Sequence, residues 1–117
     1  MRDEKRYFLR ILRIEMEDLK EDLDYLIKKS FEDRMHTKIT ERVHLENVTL
    51  FQNEQLGIKE FKELIDETDP DKFDTLEVMT RDLREKFREC AELNDFARAV
   101  SICIERKIEK VTRYVTA

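Results

Sequence analysis

A chain with one glycine among 117 residues has almost no access to backbone with positive φ. Parallel α/β folds need glycines at their phosphate and crossover turns, and β-sandwiches need frequent Gly, Pro and Asn turns. A single Gly57 and a single Pro70 leave room for neither. Disorder is disfavoured as well, because 40% hydrophobic residues suffice for a core even beside 44% charged ones. What remains is an all-α protein. At this length it forms one domain, residues 1–117, around one core.

The 28 acidic and 23 basic residues give a net charge of −5. That balance favours solubility and argues against nonspecific nucleic-acid binding by the whole surface. No apolar run approaches the roughly 18 residues of a membrane span, and the N-terminus lacks a signal-peptide core. We therefore expect a cytoplasmic, bacterial-type protein. Cys90 and Cys103 fit a reducing compartment and lack zinc-ligand spacing. Both fall on apolar helix faces, where cysteine is commonly an inert small hydrophobe. No cofactor or metal is expected, and no catalytic nucleophile stands out. Ser30 and Ser101 have no neighbouring His in the sequence.

Apolar spacing divides the chain into four helices. The first is predicted from about residue 3 to about 33, along the heptad seam Leu9, Leu12, Met16, Leu19, Leu23 and Leu26. Phe8, Ile27 and Phe31 widen that seam, as a bundle of more than two helices requires. Thr37 or Thr40 starts the second helix, which carries Ile39, Val43, Val48, Leu50, Phe51 and Leu56 and resumes with Ile58, Phe61, Leu64 and Ile65. Gly57 is expected to interrupt it. Asp69 and Pro70 read as the N-cap and first position of a third helix, running to about residue 92. Phe73, Leu76, Met79, Leu83, Phe87 and Cys90 face inward on it. Asn94-Asp95 is the next turn and cap, before a fourth helix with Phe96, Ala99, Val100, Cys103, Ile104, Ile108, Val111 and Val115 inside.

Connections this short make consecutive helices antiparallel. The expected fold is an antiparallel up-down-up-down four-helix bundle with a coiled-coil-like seam. The runner-up is a long helical hairpin that completes its core by dimerising. Ile14, Leu45, Val78 and Ile102 lie off the main seams and offer a homodimer contact. Asn47 lies on the stripe of Val43 and Phe51, where a polar residue can fix register or partner number.

His36 and His44 are the only histidines. Glu41 and His44 have the Glu-x-x-His spacing of di-iron bundles, but the later helices contain no His to supply a second motif. A histidine phosphotransfer bundle using His36 or His44 is the alternative functional reading. His36-Thr37-Lys38 is similar to the His-x-x-Lys-Gly neighbourhood of such domains, with Lys38 one residue early and Ile39 where a small residue would stand.

Charge is unevenly distributed. Arg2, Lys5, Arg6, Arg10 and Arg13 outnumber Asp3 and Glu4 at the start. An acidic block follows, and Arg106, Lys107, Lys110 and Arg113 make the end basic again. An up-down bundle would gather both basic clusters at one pole, a surface for an acidic protein or nucleic-acid phosphates, although nucleic acid is the less expected partner.

Leu83, Phe87, Cys90-Ala91, Asp95-Phe96 and Ala99-Val100 form a pattern over residues 83–108 that resembles the UVR motif, a helical hairpin of excision-repair proteins and protein-quality-control adaptors. Ala97 and Cys103-Ile104 depart from it, where an acid and an Arg-Asp pair are usual. The resemblance implies pairing with another copy or a partner protein through Leu83, Phe87, Phe96 and Ala99. The sequence reading is therefore a non-enzymatic protein-interaction module, an adaptor, regulator or self-associating bundle.

Overall fold

A computed structural model describes residues 3–117. The order is α1 (Glu4–Met35), α2 (Glu41–Glu67), a single 3-10 turn (Pro70–Lys72), α3 (Leu76–Leu93) and α4 (Arg98–Thr116). The described residues contain helices and no strand, as the glycine argument requires.

Each boundary has a local cause. Asp3 accepts hydrogen bonds from the Lys5 and Arg6 amides at 3.1 and 3.3 Å and starts α1. Thr40, the second of the two expected caps, accepts from the Val43 amide and starts α2. Asp69 and Pro70 do mark a restart, but of the 3-10 turn only. A second cap follows: Thr75 accepts from the Val78 amide at 3.2 Å, so α3 begins at Leu76, six residues later than the spacing suggested. Phe73 consequently lies on the connection, half-buried against the core, instead of on α3.

Both remaining turns use a left-handed residue that is not glycine, Thr37 at φ 57° and Asp95 at φ 51°. The amide of Lys38 donates to the Asp33 carbonyl at 2.8 Å, and that of Phe96 donates to Ala91 at 3.0 Å. These are Schellman closures of α1 and α3. Asp95 is thus a C-terminal residue of the α3 cap, and not the N-cap of α4. Ala97 holds the N-cap place without a side-chain bond of its own. Its amide instead donates to Asn53 Oδ1 of α2 at 3.2 Å. Aspartate tolerates positive φ, whereas β-branched Thr37 adopts it at a steric cost. Thr37→Gly should therefore raise stability by about 1 kcal/mol, read as a higher thermal midpoint.

Gly57 does not interrupt α2, which runs unbroken through it. The glycine is buried, and a Cβ there would collide with Cγ1 of Val100 on α4. Its role is close approach of two helices.

The core joins Phe8, Leu12 and Met16 of α1, Ile58, Phe61 and Ile65 of α2, Met79, Leu83 and Phe87 of α3, and five α4 residues from Val100 to Val115. Phe8, expected at the seam's edge, has no exposure, while Leu26, expected on the seam, is 39% exposed. Side-chain pairs fix the helix directions. Ser30 meets His44 and Asp24 meets Gln55, so α1 and α2 run oppositely. Tyr7 stacks on Tyr114 while Glu15 meets Lys107, so α1 and α4 do as well.

The four helices differ greatly in length, with 32 residues in α1, 27 in α2, 18 in α3 and 19 in α4. The start of α4 sits beside Asn53 and Gly57. Residues 41–52 of α2 and the facing end of α1 therefore project beyond α3 and α4, by about 18 Å at 1.5 Å per residue. The molecule measures 55 × 29 × 19 Å. Its radius of gyration of 16.5 Å exceeds the roughly 13 Å of a compact chain this long.

Candidate protein-interaction surfaces

The fold does bring the start of α1 and the end of α4 to one pole, through the Tyr7–Tyr114 contact. Arg2 lies outside the described residues. The other cations of the pole are largely engaged inside the molecule. Lys5 Nζ donates to the Phe73 carbonyl at 2.6 Å, and Arg6 pairs with Asp71 at 2.6 Å and with Asp3. Arg13 pairs with Asp66 and Glu17, and Arg113 with Glu109. Lys107 and Lys110 both hold Glu15, at 3.1 and 2.7 Å. Arg10 lies over the Tyr7 ring, 5.7 Å from its centroid. The expected free basic pole is thus largely tied up in contacts within and between elements, with Arg106 left without an ion pair among the described residues. Sequence counting missed this because the neutralising acids arrive from α2, the 3-10 turn and mid-α1.

Among these contacts the Glu15 site is the least exposed. The hydrogen bond from Lys110, aided by Lys107, holds the Glu15 carboxyl below its ordinary value, against partial burial that pushes it up. A depressed folded pKa stabilises above the unfolded value of about 4.3, and that stability is lost as pH falls through the folded value. Glu15→Gln should therefore lower stability at pH 7. The deficit against the parent should shrink below about pH 4, measured by urea unfolding at both pH values.

The hairpin contact residues are also placed differently from the sequence reading. Leu83 and Phe87 are buried, and Phe96 is 9% exposed. Phe87 packs between Phe61 and Phe96, at 5.3 and 6.3 Å between centroids. These side chains are occupied by the protein's own core, and only Ala99 of the four is exposed. α1 and α2 supply the partners that a free hairpin would seek elsewhere.

His36 is exposed and occupies the C-cap of α1. His44 is 3% exposed. Its Nδ1 lies 2.9 Å from Ser30 Oγ, and Phe31 meets the ring edge-on at 4.3 Å. Ser30 has no His beside it in sequence, but the antiparallel α2 brings one across. The pair has the reach of a nucleophile and base, yet both side chains are buried. No carboxylate hydrogen-bonds to the other ring nitrogen among the described residues, so the orienting third group is missing. No group of three metal-ligating side chains occurs among the described residues. Glu41, the partner of His44 in the Glu-x-x-His spacing, pairs with Arg34 at 2.6 Å.

Cys90 and Cys103 are free and half-buried. Burial, with Glu60 beside Cys90 and Glu54 beside Cys103, pushes both thiols up, away from the reactive thiolate.

Two surfaces are left open. One is a groove of about 390 Å³ between α3 and α4, lined by Arg84, Arg88, Arg98, Arg106 and Ile102. Arg84 is held by Glu105 at 2.6 Å, while Arg88, Arg98 and Arg106 make no ion pair among the described residues. The other is the projecting half of the α1–α2 hairpin. Its two buried residues are polar, Ser30 and His44, while several of its large apolar residues are exposed. Met35 is 75% exposed, Leu45 55%, Phe31 45%, Leu50 44% and Val43 41%. Of the apolar residues expected to be off-seam, Ile14, Val78 and Ile102 are exposed elsewhere.

No family model, curated protein or solved structure matches this chain. No helix among the described residues is long and apolar enough to cross a membrane.

Proposed function

We propose that this protein is a non-enzymatic protein-interaction module whose contact face is the projecting half of the α1–α2 hairpin. One observation carries the reading. The core stripe of α2, Ile65, Phe61 and Ile58, continues at helical spacing through Phe51, Leu50, Asn47 and Val43 after α3 and α4 have ended. An amphipathic stripe that continues past its own bundle is shaped to receive another helix. The buried His44 and the capping role of His36 give the phosphotransfer alternative no comparable support.

The test is affinity capture from cytoplasmic extract with the parent and with Val43→Glu/Leu50→Glu, both positions being exposed on that stripe. Proteins recovered by the parent and lost with the variant support the reading. Identical recovery by both sinks it.

The arginine groove favours a second contact, with an acidic segment. Three guanidinium groups without carboxylate partners, around the exposed Ile102, suit a peptide that alternates acidic and apolar residues. Binding there should weaken as ionic strength rises.

A further inference from the structure

We propose that the occupant of the projecting hairpin is a second copy of this chain, antiparallel and two-fold related about the level of Ser30 and Asn47. The two open stripes then close one intermolecular four-helix core. The inference rests on the interaction reading above and specifies its partner.

Register is the first argument. On α1 the buried stripe of Leu12, Met16 and Leu23 continues to the exposed Leu26 and to Ser30. On α2 it continues through Leu50, Asn47 and Val43. Two antiparallel copies of the same pair of stripes are self-complementary, as a two-fold interface demands. Asn47 falls at the axis, half-buried and without a side-chain hydrogen bond among the described residues. A lone polar residue on such a seam fixes register and partner number by pairing with its own copy.

Charge is the second argument. A cavity of about 240 Å³ opens at the base of the projection, lined by Asp22, Leu23, Leu26, Glu54 and Cys103. Neither Asp22 nor Glu54 has a basic partner among the described residues, and burial pushes the Glu54 carboxyl up. At the far end of the projection Lys38 is exposed and likewise makes no ion pair among the described residues. Asp22 lies eight residues before Ser30 on α1, and Lys38 lies in the turn that follows the end of α1 at Met35. Rotation about Ser30 therefore brings Lys38 of each copy toward the acids at the base of the other copy's projection.

The projecting face, about 18 Å long and two helices wide, falls at the small end of specific interfaces. A reversible dimer is the expected form. Sedimentation equilibrium from about 1 to about 300 µM should show a monomer–dimer equilibrium. Leu50→Glu should weaken it at least about 100-fold while circular dichroism stays helical. Asp22→Lys and Lys38→Glu should each weaken it about 10-fold, and the double variant should restore it. About 20 Å of α1 separates Asp22 from the helix end that Lys38 follows, so rescue requires contact between copies. Both substitutions are at solvent-facing positions and keep the test valid if Leu50→Glu fails to fold. A monomer at every concentration overturns the proposal, as does a dimer indifferent to Leu50→Glu or a charge swap without rescue. A monomer that still captures partners through Val43 and Leu50 overturns the dimer alone and leaves the interaction reading standing.

Discussion

Gly57→Ala should destabilise this protein by about 2 kcal/mol, although alanine is the better helix former by about 1 kcal/mol. Position 57 lies inside the unbroken α2, so local propensity alone predicts a gain. The opposing effect is steric. The added Cβ would meet Cγ1 of Val100, with Phe96 also within reach. Val100 is β-branched and 1% exposed, held on α4 in the single χ1 well a helix favours, so it cannot swing away. The helices must separate, which loosens the contacts of Ile58 and Ile104 on either side. A loss near 2 kcal/mol should lower the thermal midpoint by roughly 8 °C at this size. Val100→Ala alone removes two buried methyl groups and should also destabilise. Combined with Gly57→Ala it should cost less than the sum, because the new Cβ fills the space vacated. Additive losses, or a stabilised Gly57→Ala, would show that α2 and α4 are not in this contact.

The second large effect belongs to the Ser30–His44 pair. His44→Ala should cost about 2–3 kcal/mol, because it opens a cavity beside Phe31 and leaves the Ser30 hydroxyl buried without a partner. Ser30→Ala should cost about 1–2 kcal/mol for the same reason in reverse. Ser30→Ala/His44→Leu, which removes both polar groups, should recover most of the loss. Denaturant titration of the three variants decides the matter. A double variant as weak as the sum of the singles would mean that the hydrogen bond is not what holds this end of the hairpin together.

Much of the architecture was legible because its signals are local. The stripes of α3 and α4 predict Met79, Leu83, Phe87, Val100, Ile104, Ile108 and Val111 as buried, and they are. The start of α1 near residue 3 proved legible, that of α2 stayed open between Thr37 and Thr40, and that of α3 was misplaced at Asp69, where Thr75 is the cap. Gly57 was misread as a break because propensity describes one helix at a time. Its cause is Val100, forty-three residues away. The surfaces were the least legible part. Arg6 and Arg13 read as free cations until Asp71 and Asp66 arrive from other elements. Phe87 and Phe96 read as contact residues until α2 supplies Phe61. In each case the decisive partner is distant in sequence, and no periodicity records it.

The unequal helix lengths also divide the molecule by how readily it opens. One end of α2 is locked by Ile58, Phe61 and Ile65. The other end rests on a single buried side chain, His44. Segments with few buried apolar contacts open at free energies well below that of global unfolding. Amide exchange should therefore form a gradient along one continuous helix, fast near Val43 and slow near Phe61. The same protein would keep a rigid anchor at one end and an adaptable grip at the other.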